Sequence, residues 1–469
     1  MEPNSVPQNS VVDQEAERIR EDLLRPLFQT TWRFYTGVSV LVAIGLAGMA
    51  AFIYQTYAGM GVAGISRPVF WAFYITNFVF WIGISHAGTL ISAILRLVNA
   101  TWRRPVTRCA EAITVFALII GGQFPIIHLG RPWLFFWLIP YPNERHIWPN
   151  FRSPLLWDFL AITTYITGSV TFLLLPIIPD WATVRDRATG CRKRIYRVLA
   201  LGWQGTPREW HRLETAMHIM TIVIIPVAVS VHTIVSWDFA MALVPGWHST
   251  VFGPYFVVGA IFSGIAALIV AMALLRKFLH LEEYLKPIHF ENLGKLLLLF
   301  SLLWVYFVFA ERLTVWYGNE TSEMAAFWSI QRGKFAFLFW TMVSCNFIIP
   351  FPILAIKQLR TITGTVIASC TVVIGMWLER FLIVVPPLEQ KYLPYDWGSY
   401  RPTWVEITIM IGTAAGMILF YVLFVKVVPI ISMWELKGGE HTETVPAEAP
   451  VVVGGRGSGL ENTLPSTNS

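Results

Sequence analysis

Apolar residues in this chain run in long blocks with few interruptions, and the blocks recur at near-regular intervals from residue 34 to residue 432. A helix crosses the hydrocarbon of a bilayer in about 20 residues, so each block predicts one spanning helix. Ten spans are predicted, over residues 34–57, 70–98, 108–139, 153–179, 214–241, 252–276, 291–317, 334–356, 362–386 and 404–432. Several exceed the minimum, which implies tilt or extension beyond the bilayer. The fold class is an all-α polytopic membrane protein, with a polar segment over 1–33, one membrane domain over 34–432 and a tail over 433–469.

Composition agrees with the pattern. Of the 469 residues 55% are hydrophobic and 14% charged, with a mean hydropathy of +0.56, where a soluble domain carries roughly a quarter charged. A water-soluble enzyme is excluded, and no room is left for a folded domain outside the membrane. The net charge of +6 does not point to nucleic acid, because the basic residues sit in the short gaps between spans. An even number of spans puts both termini on one side. With basic residues near a span end assigned to the adjoining gap, that side collects 24 Lys and Arg against 8 on the other, so both termini and the basic loop from Arg185 to Arg212 are expected in the cytoplasm. Residues 14–27 read as a short amphipathic helix at that interface. The tail from Lys437 onward, rich in Gly, Ser, Pro and Thr, reads as disordered. Residues 1–32 are polar and the first apolar block is too long for a signal peptide, so no cleavable signal is expected.

The opposite loops are aromatic and rich in proline: residues 132–142, 148–151 and 394–397. An interfacial aromatic belt explains them most simply. The alternative is a docking surface for a partner.

Cys109, Cys191, Cys345 and Cys370 form no C-x-x-C pair, which excludes a self-contained iron–sulfur, zinc-ribbon or c-type haem site. Any redox metal must be held by histidines or by a partner. Ionisable residues inside spans are costly and therefore functional candidates; they are His86, His128, Asp158, His218, His232, Asp238, Glu311, Arg312, Glu379, Arg380 and Glu406. Counting ~1.5 Å per residue along each span brings His128, Asp158 and Asp238 to one level near the outer face. A site there suits a hydroquinone, with His128 as proton acceptor and Asp158 or Asp238 as relay. The plain alternative is a polar His128–Asp158 pair that pins two helices together.

A second cluster contains an internal rhyme, Glu311-Arg312 and Glu379-Arg380. Adjacent helical residues point ~100° apart, so the expected pairs are Glu311 with Arg380 or Glu379 with Arg312, serving as staples or as steps of a proton path. Glu406 sits close enough to the outer end of the last span to reach water. His218 and His232, 14 residues apart, have the spacing of stacked b-haem ligands. Only His128 and His232 match in depth, ~30 Å and ~27 Å from the inner ends of their spans, against ~18 Å for His86.

Local strings carry a resemblance. Phe73–Gly83, His86–Leu95, Phe124–Trp133 with its His-Leu-Gly-Arg-Pro piece, and Asn150–Asp158 with Ser-Pro-Leu-Leu-Trp-Asp resemble the NrfD or polysulfide-reductase membrane-subunit family. The similarity is greatest to the branch that supplies the quinol-oxidising membrane subunit of bacterial alternative complex III, whose sister membrane subunit shares the fold. The resemblance covers essentially all ten spans. It implies spans 2–5 and 6–9 as two four-helix bundles, flanked by spans 1 and 10. It implies a quinol pocket near the outer face of the first bundle, with His128 and Asp158 as proton acceptors and Asp238 nearby.

Arg131, Phe124, Trp133 and Trp157 would then line the pocket, and His86, Asp238, Glu311, Arg312, Glu379 and Arg380 would form a proton path. The substrate is quinol, menaquinol being favoured over ubiquinol, with no haem or iron–sulfur cluster on this chain. The implied partners are an iron–sulfur subunit on the periplasmic face, a multihaem cytochrome c subunit, a sister NrfD-like subunit and small membrane subunits, in a bacterial inner membrane. Several relatives have Asp where this chain has Tyr74, which puts a carboxylate route through that point in doubt. Two other readings stay open: a proton-coupled secondary transporter, although no matched pair of interrupted spans is evident in the sequence, and a haem b quinol subunit.

Overall fold

A computed structural model describes residues 8–139 and 151–436. Its α-helices are α1 (Gln8–Phe28), α2 (Trp32–Ala58), α3 (Phe73–Leu97), α4 (Arg104–His128), α5 (Pro154–Leu174), α6 (Ile178–Arg187), α7 (Gly190–Leu199), α8 (Pro207–Ala240), α9 (Phe252–Leu279), α10 (Pro287–Gly318), α11 (Thr321–Gln331), α12 (Ala336–Val343), α13 (Pro350–Ala355), α14 (Ile362–Glu389) and α15 (Trp404–Val427). Among the described residues there is no strand beyond a single bridge between Ser66 and Val69. Among the described residues ten segments are long and apolar enough to cross a membrane: α2, α3, α4, α5 with α6, α8, α9, α10, α12 with α13, α14 and α15. These are the ten predicted spans.

Three boundaries differ from expectation. The third span ends at His128 rather than residue 139, because Gly130 turns the chain with φ +68° and Pro132–Leu138 continues as a short 3-10 helix. Its side chains are apolar, which is why the sequence reads on through them. The fourth span continues through a 3-10 turn at Leu175–Ile177 into α6, which ends at Arg187. At the C-terminal end, Met433 and Glu435 are buried, so the assignment of 433–436 to a tail is corrected. Residues 437–469 lie outside the described residues, as do 140–150 with most of the second aromatic loop.

The third span of each predicted bundle is interrupted. The fourth span carries the turn at Leu175–Ile177, and the eighth carries a π-helical turn at Ser344–Ile348 between α12 and α13. Proline follows each break, at Pro179 and Pro350, where the ring removes a backbone donor. A matched pair of interruptions therefore exists that the apolar pattern conceals.

Packing sorts the helices into two groups. α3, α4, α5 and α8 pack together, as do α9, α10, α12–α13 and α14, while α3 also lies along α9 and α14 and so joins the groups. α2 and α15 pair with each other on the flank, α15 against α4. Their crossing is a backbone contact: a Cβ on Gly412 would stand 2.7 Å from the Gly48 Cα, the close approach that small residues permit between membrane helices.

The N-terminal helix spans Gln8–Phe28 and buries Leu23, Leu24 and Leu27 against the protein. Arg18 pairs with Glu283 at 2.8 Å, and Lys426 Nζ donates to Pro26 O at 2.7 Å. These contacts put α1, the connection before α10 and the end of α15 on one face, here called the basic face.

Candidate functional site

Ser153 and Pro154 open α5, the proline at a first-turn position where its missing N–H costs nothing, and Asp158 follows one turn in. Asp238 sits in the last turn of α8, and His128 is the last residue of α4. All three therefore lie at the end of the first bundle away from the basic face. Asp158 and Asp238 are buried and neighbour each other where α5 packs on α8, beside the Trp157–Trp237 ring pair. The Oδ1 atom of each has no protein partner among the described residues. Buried polar atoms are nearly always satisfied, so such oxygens point to a ligand or a proton-handling role.

His128 is half-buried and its Nδ1 also lacks a partner. Its ring centroid is 6.5 Å from that of Tyr74. Tyr74 donates to Gln55 Oε1, and Gln55 Nε2 donates to the Ile127 carbonyl at 3.1 Å. No hydrogen bond joins His128 to Asp158, so the helix-pinning pair considered from sequence is not formed. Phe124 is fully buried, and Trp157 packs edge-on to Trp237 at 6.2 Å while its Nε1 donates to Phe151 O at 2.8 Å. Arg131 and Trp133 are on the surface, Trp133 with 60% of its area exposed. They do not belong to a buried wall.

Deeper in the same bundle, the rings of His86 on α3 and His232 on α8 lie 4.5 Å apart. His86 Nδ1 is 2.6 Å from Ile82 O, while His86 Nε2 and both nitrogens of His232 have no partner. Tyr165 of α5 closes the group, with its ring 4.7 Å from His86 and its hydroxyl donating to Ser85 O at 3.1 Å. Residue counting along straight spans set the two histidines ~9 Å apart in depth, whereas the packing of α3 on α8 brings their rings into contact. His232 thus packs on His86, not on the His128 that a haem pair required.

Toward the basic face, Ser85, Thr89 and Ser92 fall at i, i+4 and i+7 of α3, on one buried stripe. Ser92 Oγ donates to Glu111 Oε1 at 2.6 Å, and Glu111 is itself buried. Beyond it, Arg96 and Arg103 hold Glu435 at 2.5 Å and 3.3 Å. Burial raises the Glu435 pKa, but the attraction of the Arg96, Arg103 and Arg108 guanidiniums outweighs it and leaves this carboxyl below its ordinary value. A buried polar column therefore runs from the basic face to the two histidines.

In the second bundle, Tyr255 and Trp304 both donate to Glu379 Oε1 at 2.5 Å, and Arg380 Nη1 is 3.4 Å from Glu379 Oε2. The predicted cross-pairs are absent and the adjacent residues pair with each other. Side chains of this length bend back across the ~100° between neighbours, and Gly259 leaves the room, since a Cβ there would stand 2.6 Å from Arg380 Nη2. Glu311 instead accepts from Ser249 Oγ at 2.7 Å, and the Arg312 guanidinium is 5.7 Å from the Phe339 ring. Both line a small cleft with Tyr255, Glu323 and Phe327. Glu406 is buried, not water-exposed. It accepts from Gly64 N at 3.0 Å, Thr403 N at 2.9 Å and the Tyr400 hydroxyl at 2.9 Å, which makes it a cap for α15 and a clasp on the loop before α3.

Sequence reading missed Glu111, Gln55, Tyr165 and Tyr255. Glu111 sits three residues inside its predicted span and passes for an end residue, while Gln and Tyr carry no charge signal. Among the described residues no group of three or more His, Cys, Asp or Glu side chains is arranged to hold a metal ion.

Comparison with known proteins decides the family. The profile of NrfD, polysulphide reductase, matches residues 61–390, about 70% of the chain. The chain belongs to the NrfD family. It is accordingly a multi-pass membrane protein. Over 89% of its length it is 26% identical to 97% of a candidate dimethyl sulfoxide reductase membrane subunit of Halobacterium salinarum. Over 87% it is 26% identical to 97% of a selenate reductase subunit of Mesobacillus selenatarsenatis. Over 85% it is 23% identical to 94% of an Hdr-like menaquinol oxidoreductase integral membrane subunit of Archaeoglobus fulgidus. The NrfD match takes in α3 to α14 almost whole, and with them every element that builds the Asp158–Asp238 and His86–His232 groups.

Proposed function

We propose that this NrfD-family chain is the quinol-oxidising membrane subunit of a multi-subunit oxidoreductase. The carrying observation is the Asp158–Asp238 pair, buried at one end of the first bundle, with an unpartnered oxygen on each acid. Two hydroxyl protons of a hydroquinone require two acceptors, and the acids with His128 supply imidazole and carboxylate groups at one level. The two electrons leave to a cluster held by a partner subunit, since the four cysteines form no C-x-x-C pair and no metal-holding group is found among the described residues.

The relatives named for dimethyl sulfoxide and selenate reductases support membership of such a complex, and the menaquinol named for the archaeal relative supports that substrate. The strings at 124–133 and 150–158 favour the quinol-oxidising membrane subunit of bacterial alternative complex III over its sister. On this reading the basic face is cytoplasmic, protons leave on the periplasmic side, and an iron–sulfur subunit, a multihaem cytochrome c subunit, a sister NrfD-like subunit and small subunits complete the assembly. The column from Glu435 and Glu111 through Ser92 to His86 and His232, with Arg380, Glu379, Tyr255, Arg312 and Glu311 beyond, is the candidate proton path.

In the purified complex, Asp158→Asn and Asp238→Asn are expected to lower quinol-dependent turnover roughly 10²-fold or more, the scale of a lost acid–base group, while the complex stays fully assembled. Wild-type turnover in both variants contradicts the assignment. The matched interruptions in the third span of each bundle favour a second reading as a proton-coupled transporter. Solute movement in liposomes by the chain without redox partners is the result that would support it.

A further inference from the structure

α7 is a ten-residue helix that belongs to neither bundle, and three sides of it face three different environments. One side faces protein. Arg192 Nη2 donates to Leu27 O at 2.8 Å and to Lys426 O at 3.3 Å, and the Tyr196 hydroxyl donates to Val427 O at 3.0 Å. Arg192 and Tyr196 are a full turn apart on α7, yet they reach consecutive carbonyls where α15 ends. That geometry lays α7 across the end of the tenth span instead of alongside it. It fixes the helix at the level where the hydrocarbon stops.

The second side carries a stripe of Ile195 and Val198, 53% and 69% exposed, and Leu201, 76% exposed, follows in the left-handed turn just after the helix. Nothing described packs over them. The third side, between the stripe and the protein, carries Lys193, Arg194 and Arg197, all exposed. A helix of this kind on a soluble protein would be an aggregation site. At the edge of a bilayer the same order of faces matches acyl chain, headgroup and protein in turn.

We infer that α7 lies in the interface of the leaflet at the basic face, where Lys193, Arg194 and Arg197 bind acidic phospholipid headgroups and Ile195, Val198 and Leu201 enter the acyl layer. The charge complementarity selects the occupant: three cations beside an apolar stripe at headgroup depth recognise an anionic lipid, each adding to the attraction of a negatively charged surface. The inference needs only the membrane location and holds whatever the redox chemistry proves to be.

Photo-crosslinking tests it on the full chain in its native membrane. With Val198→p-benzoylphenylalanine, an exposed position whose replacement disturbs no packing, irradiation is expected to give adducts with the mass of acidic phospholipid. A polypeptide adduct would assign the stripe to a partner subunit and overturn the inference. As a second readout, the protein is placed in nanodiscs of equimolar phosphatidylglycerol and phosphatidylcholine, and retained lipid is counted by native mass spectrometry. Lys193→Gln, Arg194→Gln and Arg197→Gln together are expected to lower the retained ratio roughly 10²-fold, as three lost surface cations imply. An unchanged ratio overturns the headgroup assignment.

Discussion

The imidazoles of His86 and His232 lie 4.5 Å apart, with three of their four ring nitrogens unpartnered by the protein. They stand where the polar stripe of α3 ends and where α8 continues toward Asp238. Imidazole both accepts and donates a proton, so two rings in contact can pass one along. If they serve the column, His232→Asn leaves quinol oxidation by the detergent-solubilised complex intact. In liposomes the same variant lowers the proton-to-electron ratio to the value set by hydroquinone chemistry alone. A wild-type ratio removes the two histidines from any transmembrane path.

Glu379 is the acceptor for Tyr255 and Trp304 and the counter-charge to Arg380. Glu379→Gln keeps the shape and leaves the Arg380 guanidinium buried without a carboxylate. Breaking a buried pair in this way costs roughly 3–5 kcal/mol, and the expected outcome is a clearly lower unfolding temperature in detergent. Adding Arg380→Met to Glu379→Gln is expected to recover part of the loss, because no unpaired charge then remains. A single variant as stable as wild type contradicts the assignment.

Glu435 gives a pH dependence. Arg96, Arg103 and Arg108 hold its carboxyl below the ordinary value, overcoming its burial. A group whose folded value is depressed contributes its stabilisation fully above the unfolded value, near ~4.3 for Glu, and loses it as the pH falls toward the lower folded value. Thermal unfolding of wild type and Glu435→Gln is expected to differ most at neutral pH and to converge below about pH 4. A constant difference across that range contradicts the pairing.

The Gly48–Gly412 crossing predicts that Gly412→Leu forces α2 from α15. Overpacking of this kind costs roughly 1–3 kcal/mol, and limited proteolysis in the connection after α2 reports it. Gly45→Ala, where a Cβ meets nothing within 4 Å, is the control expected to behave as wild type.

The sequence reading recovered the ten spans because each is an uninterrupted apolar block longer than the bilayer demands. It extended the third span to residue 139 because Pro132–Leu138 is as apolar as the helix before it, and only Gly130 and Pro132 mark the stop. His128, Asp158 and Asp238 could be counted to one end of the first bundle because each lies in the first or last turns of its helix. His86 and His232 lie farther from the ends of α3 and α8, and there the count misjudged their relative depth. Pairing was the least legible feature. Which carboxylate meets which guanidinium depends on side-chain bending and on the space beside Gly259, and neither appears in a one-dimensional pattern.

The site assignment is tested most directly by labelling the purified complex with a photoreactive azido-menaquinone and mapping the modified peptides. The account predicts label on the peptides around Phe124–His128 and Pro154–Ala161, lost when unmodified menaquinone is added in excess and diminished by Asp158→Asn. Label confined to the cleft peptides around Val308–Arg312 and Glu323–Ile330 would place the quinol in the second bundle and contradict the assignment to Asp158, Asp238 and His128.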